Sequence, residues 1–183
     1  MKKYFAALGL FTVIILASGR AGDSEGTLVK VGEMAPSFSV TTTGNEQISP
    51  ESQKGKVIFI NFFATWCGPC MSEMPILEAS VWQKFKDRGL VFVAIGREHS
   101  TAEMVKFKED KHLTMPIAPD PKREIYSKFA TQYIPRSILI GRDGKILFAT
   151  VGFAQAEFDQ MVAMIDRELG QGSSRASGLS KSP

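Results

Sequence analysis

An α/β domain with a central mixed sheet flanked by helices is predicted by three features of the sequence. Two apolar runs bounded by turn residues, Val57 to Ala64 (VIFINFFA) and Leu90 to Gly96 (LVFVAIG), read as strands buried on both faces. Between them Met74, Leu77, Val81 and Phe85 recur at three- and four-residue spacing, the period of a helix. Asp143-Gly144 divides Ser137 to Gly152 into a hairpin. Strands separated by helices pair in parallel through right-handed crossovers, and the closing hairpin adds antiparallel strands at one side.

Residues 1–22 stand apart from this domain. Lys2 and Lys3 precede an apolar run from Tyr4 to Ala17, followed by the small residues Ser18, Gly19, Ala21 and Gly22. This is the layout of a secretory signal. The run is shorter than the ~20 apolar residues of a membrane span, with an uncleaved N-terminal anchor as the alternative. Gly19 stands where a lipoprotein signal carries its cysteine, so lipidation at that position is excluded. The net charge of +3 also belongs to the leader. Beyond Arg20 the chain holds 19 basic and 19 acidic residues, so there is no argument here for nucleic-acid binding.

The remaining elements follow in order. Residues 23–28 read as a linker and 29–169 as one domain. The 183 residues, 44% hydrophobic and 22% charged, suffice for one real core and argue against disorder or several membrane spans. VKVGEMAPSFSVTTTGNEQISP reads as an entrance hairpin turning at Thr43-Gly44-Asn45. A helix is expected from Met71 to Arg88, closed by Gly89. Ser100 and Glu103 form a capping box for a helix from Thr101 to Lys111. A short strand is expected over Met115 to Ala118, a helix over Lys122 to Thr131, and a last helix from Gln155 to Leu169. Residues 170–183 offer almost nothing to bury and read as a disordered tail.

Both cysteines lie in FINFFATWCGPCMSEMP, with only Gly68 and Pro69 between them. A structural zinc site needs four ligands; the only histidines, His99 and His112, are thirteen residues apart and read as exposed loop and helix residues. A structural staple gains more from a long loop than from this short one. Reversible thiol–disulfide exchange fits best. Cys67 follows a buried strand and opens a helix, where unsatisfied N–H groups and the helix dipole favour thiolate over thiol. Cys70, one turn later, is in range to attack a mixed disulfide formed on Cys67. Gly68 lets a partner's backbone approach, and Pro69 suits a first helical turn, where its missing N–H costs nothing.

Trp66-Cys67-Gly68-Pro69-Cys70 resembles the active-site pentapeptide of thioredoxins, Pro75 the proline in their active-site helix, and Tyr133-Ile134-Pro135 their cis-proline segment. Within that superfamily VGEMAPSFSV, INFFATWCGPCMSEMP, Thr101 to Phe129 and IPRSILIGRDGKI resemble the exported TlpA/ResA/DsbE group over about Val29 to Leu169. The resemblance implies a thioredoxin-like fold with an N-terminal β-hairpin and an extra helix-strand insertion. It implies catalytic Cys67 and Cys70, no cofactor beyond their disulfide, and a cis Pro135. The substrate groove would comprise Trp66, Gly68, Pro69, Ile134, Pro135 and Arg136. It also implies protein thiol or disulfide substrates, a membrane electron donor, no nucleic acid and a monomer in the bacterial periplasm or envelope.

Departures from the pattern carry expectations of their own. Asn61 stands in the place of thioredoxin's buried aspartate, and an amide cannot take a proton from Cys70. Glu73 is a candidate for that transfer, although acids in first helical turns are commonly just solvated. Arg136 is expected to give the groove a cation, so that Arg136→Glu alters partner choice and spares small-thiol exchange. Phe59, Phe62 and Phe63 are expected in the core, Trp66 partly exposed beside Cys67, and Trp82 on a packed helix face. Gly141 replaces an acid common before the hairpin. The expected activity is reduction of protein disulfides, for example in cytochrome c maturation; Gly-Pro between the cysteines leans toward a reductant, as in thioredoxin near ~−270 mV. The alternatives are a peroxidase, for which Ile60 and Ala64 replace the peroxide-activating residues, and a redox-inert binding module.

Overall fold

A computed structural model describes residues 26–178, and side chains as far as 171. The leader, residues 23–25 of the linker and 179–183 lie outside the described residues. Among those described, no helix is long and apolar enough to cross a membrane.

The apolar run before the cysteines becomes β3 (Ile58–Phe63), flanked by β4 (Val91–Arg97) in parallel and β6 (Arg136–Ile140) antiparallel. With β5 (Ile117–Asp120) and β7 (Ile146–Val151) at the edges, the sheet runs β5-β4-β3-β6-β7. A separate two-stranded hairpin, β1 (Val40–Thr41) and β2 (Gln47–Ile48), turns through Asn45. Strand side chains alternate between faces. In β3 this sorts Phe59 and Phe63 into one core layer and Ile58, Ile60 and Phe62 into the other. Each such side chain, fully buried, contributes roughly 2 kcal/mol. By the same parity Asn61 shares the face of Phe59 and Phe63, beneath the helix that carries the cysteines.

That helix, α1 (Gly68–Leu77), continues through a π-helical turn (Glu78–Trp82), α2 (Gln83–Phe85) and a 3₁₀ turn (Lys86–Arg88) to Gly89, which closes it in the left-handed conformation. Met74, Leu77, Val81 and Phe85 are buried as their spacing requires. Trp82 packs against the core with its ring 6.0 Å from Phe92, and its N–H donates to Thr114 Oγ1 at 3.0 Å. The Glu78 carboxylate accepts from the backbone N–H of Thr114 at 3.1 Å and of Met115 at 3.0 Å, tying the helix to the chain that enters β5.

Helix α3 (Thr101–Asp110) starts on the expected capping box of Ser100 and Glu103. The strand after it begins two residues later than the expected Met115, because Met115 and Pro116 lead into the pairing with β4. The Lys122 to Thr131 helix shrinks to α4 (Tyr126–Phe129), since Arg123 takes a positive φ and Asp120 receives the N–H groups of Ile125 and Tyr126. Gly141 and Gly144 turn the β6–β7 hairpin, Gly144 at φ 83°. A Cβ at Gly141 would lie 3.1 Å from both Asp143 Oδ1 and Leu147 Cδ1, a tight approach to two side-chain ends.

Ahead of the hairpin, Leu28 N–H donates to Phe129 O and Thr131 N–H to Gly26 O. Helix α5 (Gln155–Gly178) continues past Leu169, the last buried residue among its described side chains.

Candidate active site

The strand end and the helix start fix the cysteines. Cys67 is the N-cap of α1, and its Sγ accepts the Cys70 N–H at 3.2 Å, where a serine or aspartate oxygen would ordinarily sit. Gly68 and Pro69 fill the first helical turn. Cys67 and Cys70 are joined as a disulfide, their Cα atoms 5.3 Å apart. Cys67 retains 6% exposure and Cys70 none, so the second cysteine is closed to outside partners in the disulfide state.

The segment before β6 closes over the disulfide. The Ile134–Pro135 bond is cis, and the Ile134 carbonyl oxygen lies 3.9 Å from Cys67 Sγ. Trp66 is 61% exposed at the rim, with the Arg97 guanidinium 5.5 Å from its ring centroid and 4.8 Å from that of Tyr126. Tyr126 in turn donates its hydroxyl to Tyr133 O at 2.7 Å.

Arg136 does not lie in the groove. It is 1% exposed, with Nε 3.0 Å from the carbonyl oxygens of Gln132 and Tyr133, one terminal nitrogen 2.7 Å from Gln132 O and the other 2.6 Å from Thr27 Oγ1. Arg136 pairs with Phe62 across β3–β6 and points to the layer of Ile138 and Ile140, so the expected groove cation is instead an internal brace for the cis-proline turn.

Glu73 is not a solvated first-turn acid. It sits on the buried face of α1 with Cys70, Met74 and Leu77, 3% exposed. Its Oε2 accepts from Asn61 Nδ2 at 3.1 Å, and the same Asn61 nitrogen is 3.2 Å from Ser137 Oγ. Burial pushes the Glu73 carboxyl up from 4.5 to about 7, against the lowering pull of hydrogen bonds from Asn61 and Ser137. A carboxyl titrating near 7, three residues after Cys70 on one helix face, can exchange protons at neutral pH. The helical spacing from Cys70 to Leu77 carried this placement.

His99 was expected to be exposed and is buried. Its Nε2 accepts the Thr65 N–H at 3.0 Å, two residues before Cys67, and Nδ1 faces Glu103 at 3.7 Å. No sequence pattern marks this contact, because the β4–α3 loop that delivers it has no period. His112 is exposed, as expected. Ile60 and Ala64 are fully buried apolar residues and offer nothing to activate a peroxide.

With this geometry in view, the Redoxin family matches residues 30–165. The thiol-disulfide oxidoreductase ResA of Bacillus thuringiensis (strain Al Hakam) is 32% identical over 154 residues, covering 78% of this chain and 87% of the relative. The solution structure of a candidate protein disulfide isomerase from Bacteroides thetaiotaomicron superposes with a TM-score of 0.75 at 35% identity, covering 82% of this chain and 97% of the other. A candidate thiol:disulfide interchange protein DsbE from Chlorobium tepidum gives 0.65 at 28% identity, covering 77% and 99%. The chain therefore belongs to the Redoxin family, as a ResA- and DsbE-like thiol–disulfide oxidoreductase of the thioredoxin superfamily.

Proposed function

We propose that this chain is an exported reductant of protein disulfides, acting through a Cys67/Cys70 dithiol–disulfide cycle. The observation that carries the reading is the 3.2 Å hydrogen bond from Cys70 N–H to Cys67 Sγ at the first turn of α1. In the reduced protein that amide and the positive end of the helix favour thiolate at Cys67. The thiolate attacks one sulfur of a substrate disulfide, and the other leaves as a thiolate. Cys70 then gives its proton to Glu73 and attacks Cys67, which releases the reduced substrate and closes the disulfide. Trp66, Gly68, Pro69, Ile134 and Pro135 form the surface that receives the substrate chain.

The basic and apolar pattern of residues 1–22 supports export to the bacterial periplasm or envelope, with the leader removed or kept as an anchor. In an oxidising compartment a membrane donor must return electrons to the pair. The reading extends to cytochrome c maturation as the process served, with the protein acting as a monomer on protein disulfides, as the resemblance of its motifs to the TlpA/ResA/DsbE group implies. Insulin reduction with dithiothreitol tests the activity. The purified protein should accelerate it and Cys67→Ala should not; equal rates for the two would end the reading. Cys70→Ala, expressed in cells, should accumulate mixed disulfides on Cys67 whose partners name the substrates.

A further inference from the structure

Glu73 is 3% exposed, yet it must exchange protons with solvent whenever it enters a turnover protonated, since only the carboxylate can take the proton of Cys70. The face it touches is apolar except for one row. Asn61 on β3 pairs in register with Ser137 on β6, and Ser137 with Thr150 on β7, so three polar side chains cross the sheet at one level. The inner pair, Asn61 and Ser137, bonds to Glu73. At the outer end the Thr150 hydroxyl donates to Glu157 Oε2, on the first turn of α5, at 2.6 Å. A small pocket is lined by Glu73, Ser137, Thr150 and the exposed Glu157, with Phe148 and Phe158 among its apolar walls. It leaves about 10 Å³ for the centre of a water, near the need of one molecule. Cross-strand neighbours such as Ser137 and Thr150 have Cβ atoms about 4.5–5.5 Å apart, a gap that one water bridges.

We propose that Ser137, Thr150 and a water between them carry the proton from Glu73 to the carboxylate of Glu157, which hands it to solvent. The inference rests on Glu73 as the acceptor of the Cys70 proton. In the resolving step the Cys70 S–H bond breaks and its proton joins Glu73. The Cys67–Cys70 bond forms, and the electron pair of the broken Cys67–substrate bond leaves on the substrate sulfur, which is protonated from solvent. Glu73 is then reset to a carboxylate through the pocket, and when a donor reduces the disulfide the departing Cys70 thiolate takes a proton back along the same route.

Stopped-flow reaction of the reduced full-length protein with 5,5′-dithiobis(2-nitrobenzoate) separates the two steps. The first thionitrobenzoate reports attack by Cys67 and the second reports attack by Cys70. In dilute buffer at pH 6, where most Glu73 starts protonated and must lose that proton before it can take the one from Cys70, Glu157→Gln should slow the second phase relative to the first by about tenfold, less than the hundredfold or more supplied by direct proton transfer at a reacting atom. Added imidazole should restore it, an effect that a merely structural role of Glu157 would not show. If Glu73→Gln slows the second phase while Glu157→Gln matches wild type, the route is overturned and Glu73 keeps its role. Slowing by Glu157→Gln that imidazole leaves untouched also overturns the route. If Glu73→Gln leaves the second phase unchanged, the reading of Glu73 falls and the route with it.

Discussion

Asn61 and Glu73 meet behind the disulfide, amide nitrogen to carboxylate oxygen at 3.1 Å, at a point where β3, α1 and β6 converge. The amide stabilises whatever charge Glu73 carries but brings none of its own. Desolvation therefore outweighs the hydrogen bonds, and the acid is held near 7 and not in the usual carboxylate range.

Glu73 should make the oxidised protein less stable as pH rises. Unfolded, its carboxyl titrates near 4.5; folded, at about 7. Between these values the native state binds more protons than the unfolded state, so its contribution is fully present below 4.5 and is lost as pH passes 7. The gap corresponds to about 3 kcal/mol. Glu73→Gln should be the more stable protein at pH 8 and should flatten the profile between pH 4.5 and 7. Urea midpoints across that range check this; parallel profiles for the two proteins would contradict it.

Arg136→Met should lose about 3 kcal/mol, because several charge-assisted hydrogen bonds disappear and the Gln132 and Tyr133 carbonyls lose a donor. Activity should fall alike toward insulin and toward small disulfides, since the cis-proline turn itself loosens. Unchanged stability with loss toward one substrate class alone would return Arg136 to the groove.

His99→Leu leaves the Thr65 N–H without its acceptor just before Trp66 and Cys67 and should cost about 1–3 kcal/mol. Amide exchange at Thr65 should quicken in the variant. Protection equal to wild type would show that another acceptor takes over.

The sheet was legible because the continuous apolar runs VIFINFFA and LVFVAIG and the helical spacing between them are strong local signals. Once the two faces of the sheet are known, strand parity puts Asn61 toward α1 and Arg136 among the isoleucines of β6. The general preference of charged residues for water pointed the other way, and three backbone or side-chain acceptors overrode it. Glu73 was similarly legible by spacing from Cys70 and obscured by the preference of acids for first helical turns. His99 and the polar row ending at Thr150 depend on which strands become neighbours, and no local period encodes that. The attachment of Gly26 and Leu28 depends likewise on a distant pairing with Phe129 and Thr131.

Glu78 should be the acid-sensitive tie between the active-site helix and the inserted segment. Burial raises its carboxyl, but hydrogen bonds from Thr114, Gln83 and Met115 outweigh that and hold it below the ordinary value of 4.5. A depressed folded value means that the stabilisation is present above 4.5 and is lost as pH falls through the folded value. Glu78→Ala removes the acceptor for two backbone N–H groups at the entrance to β5 and should cost about 2 kcal/mol at pH 7. Because β5 is an edge strand, paired in the sheet with β4 and tied on its other side by the Thr43 N–H to Ile117 O at 2.7 Å, the loss should appear first as faster amide exchange at Thr114 and Met115 and across Ile117–Asp120, before global unfolding. As pH falls through the folded value the wild-type carboxyl is itself protonated, so the difference between the two proteins should narrow. A difference that stays constant from pH 7 into the acid limb of the profile would mean that Glu78 acts through packing and not through its charge.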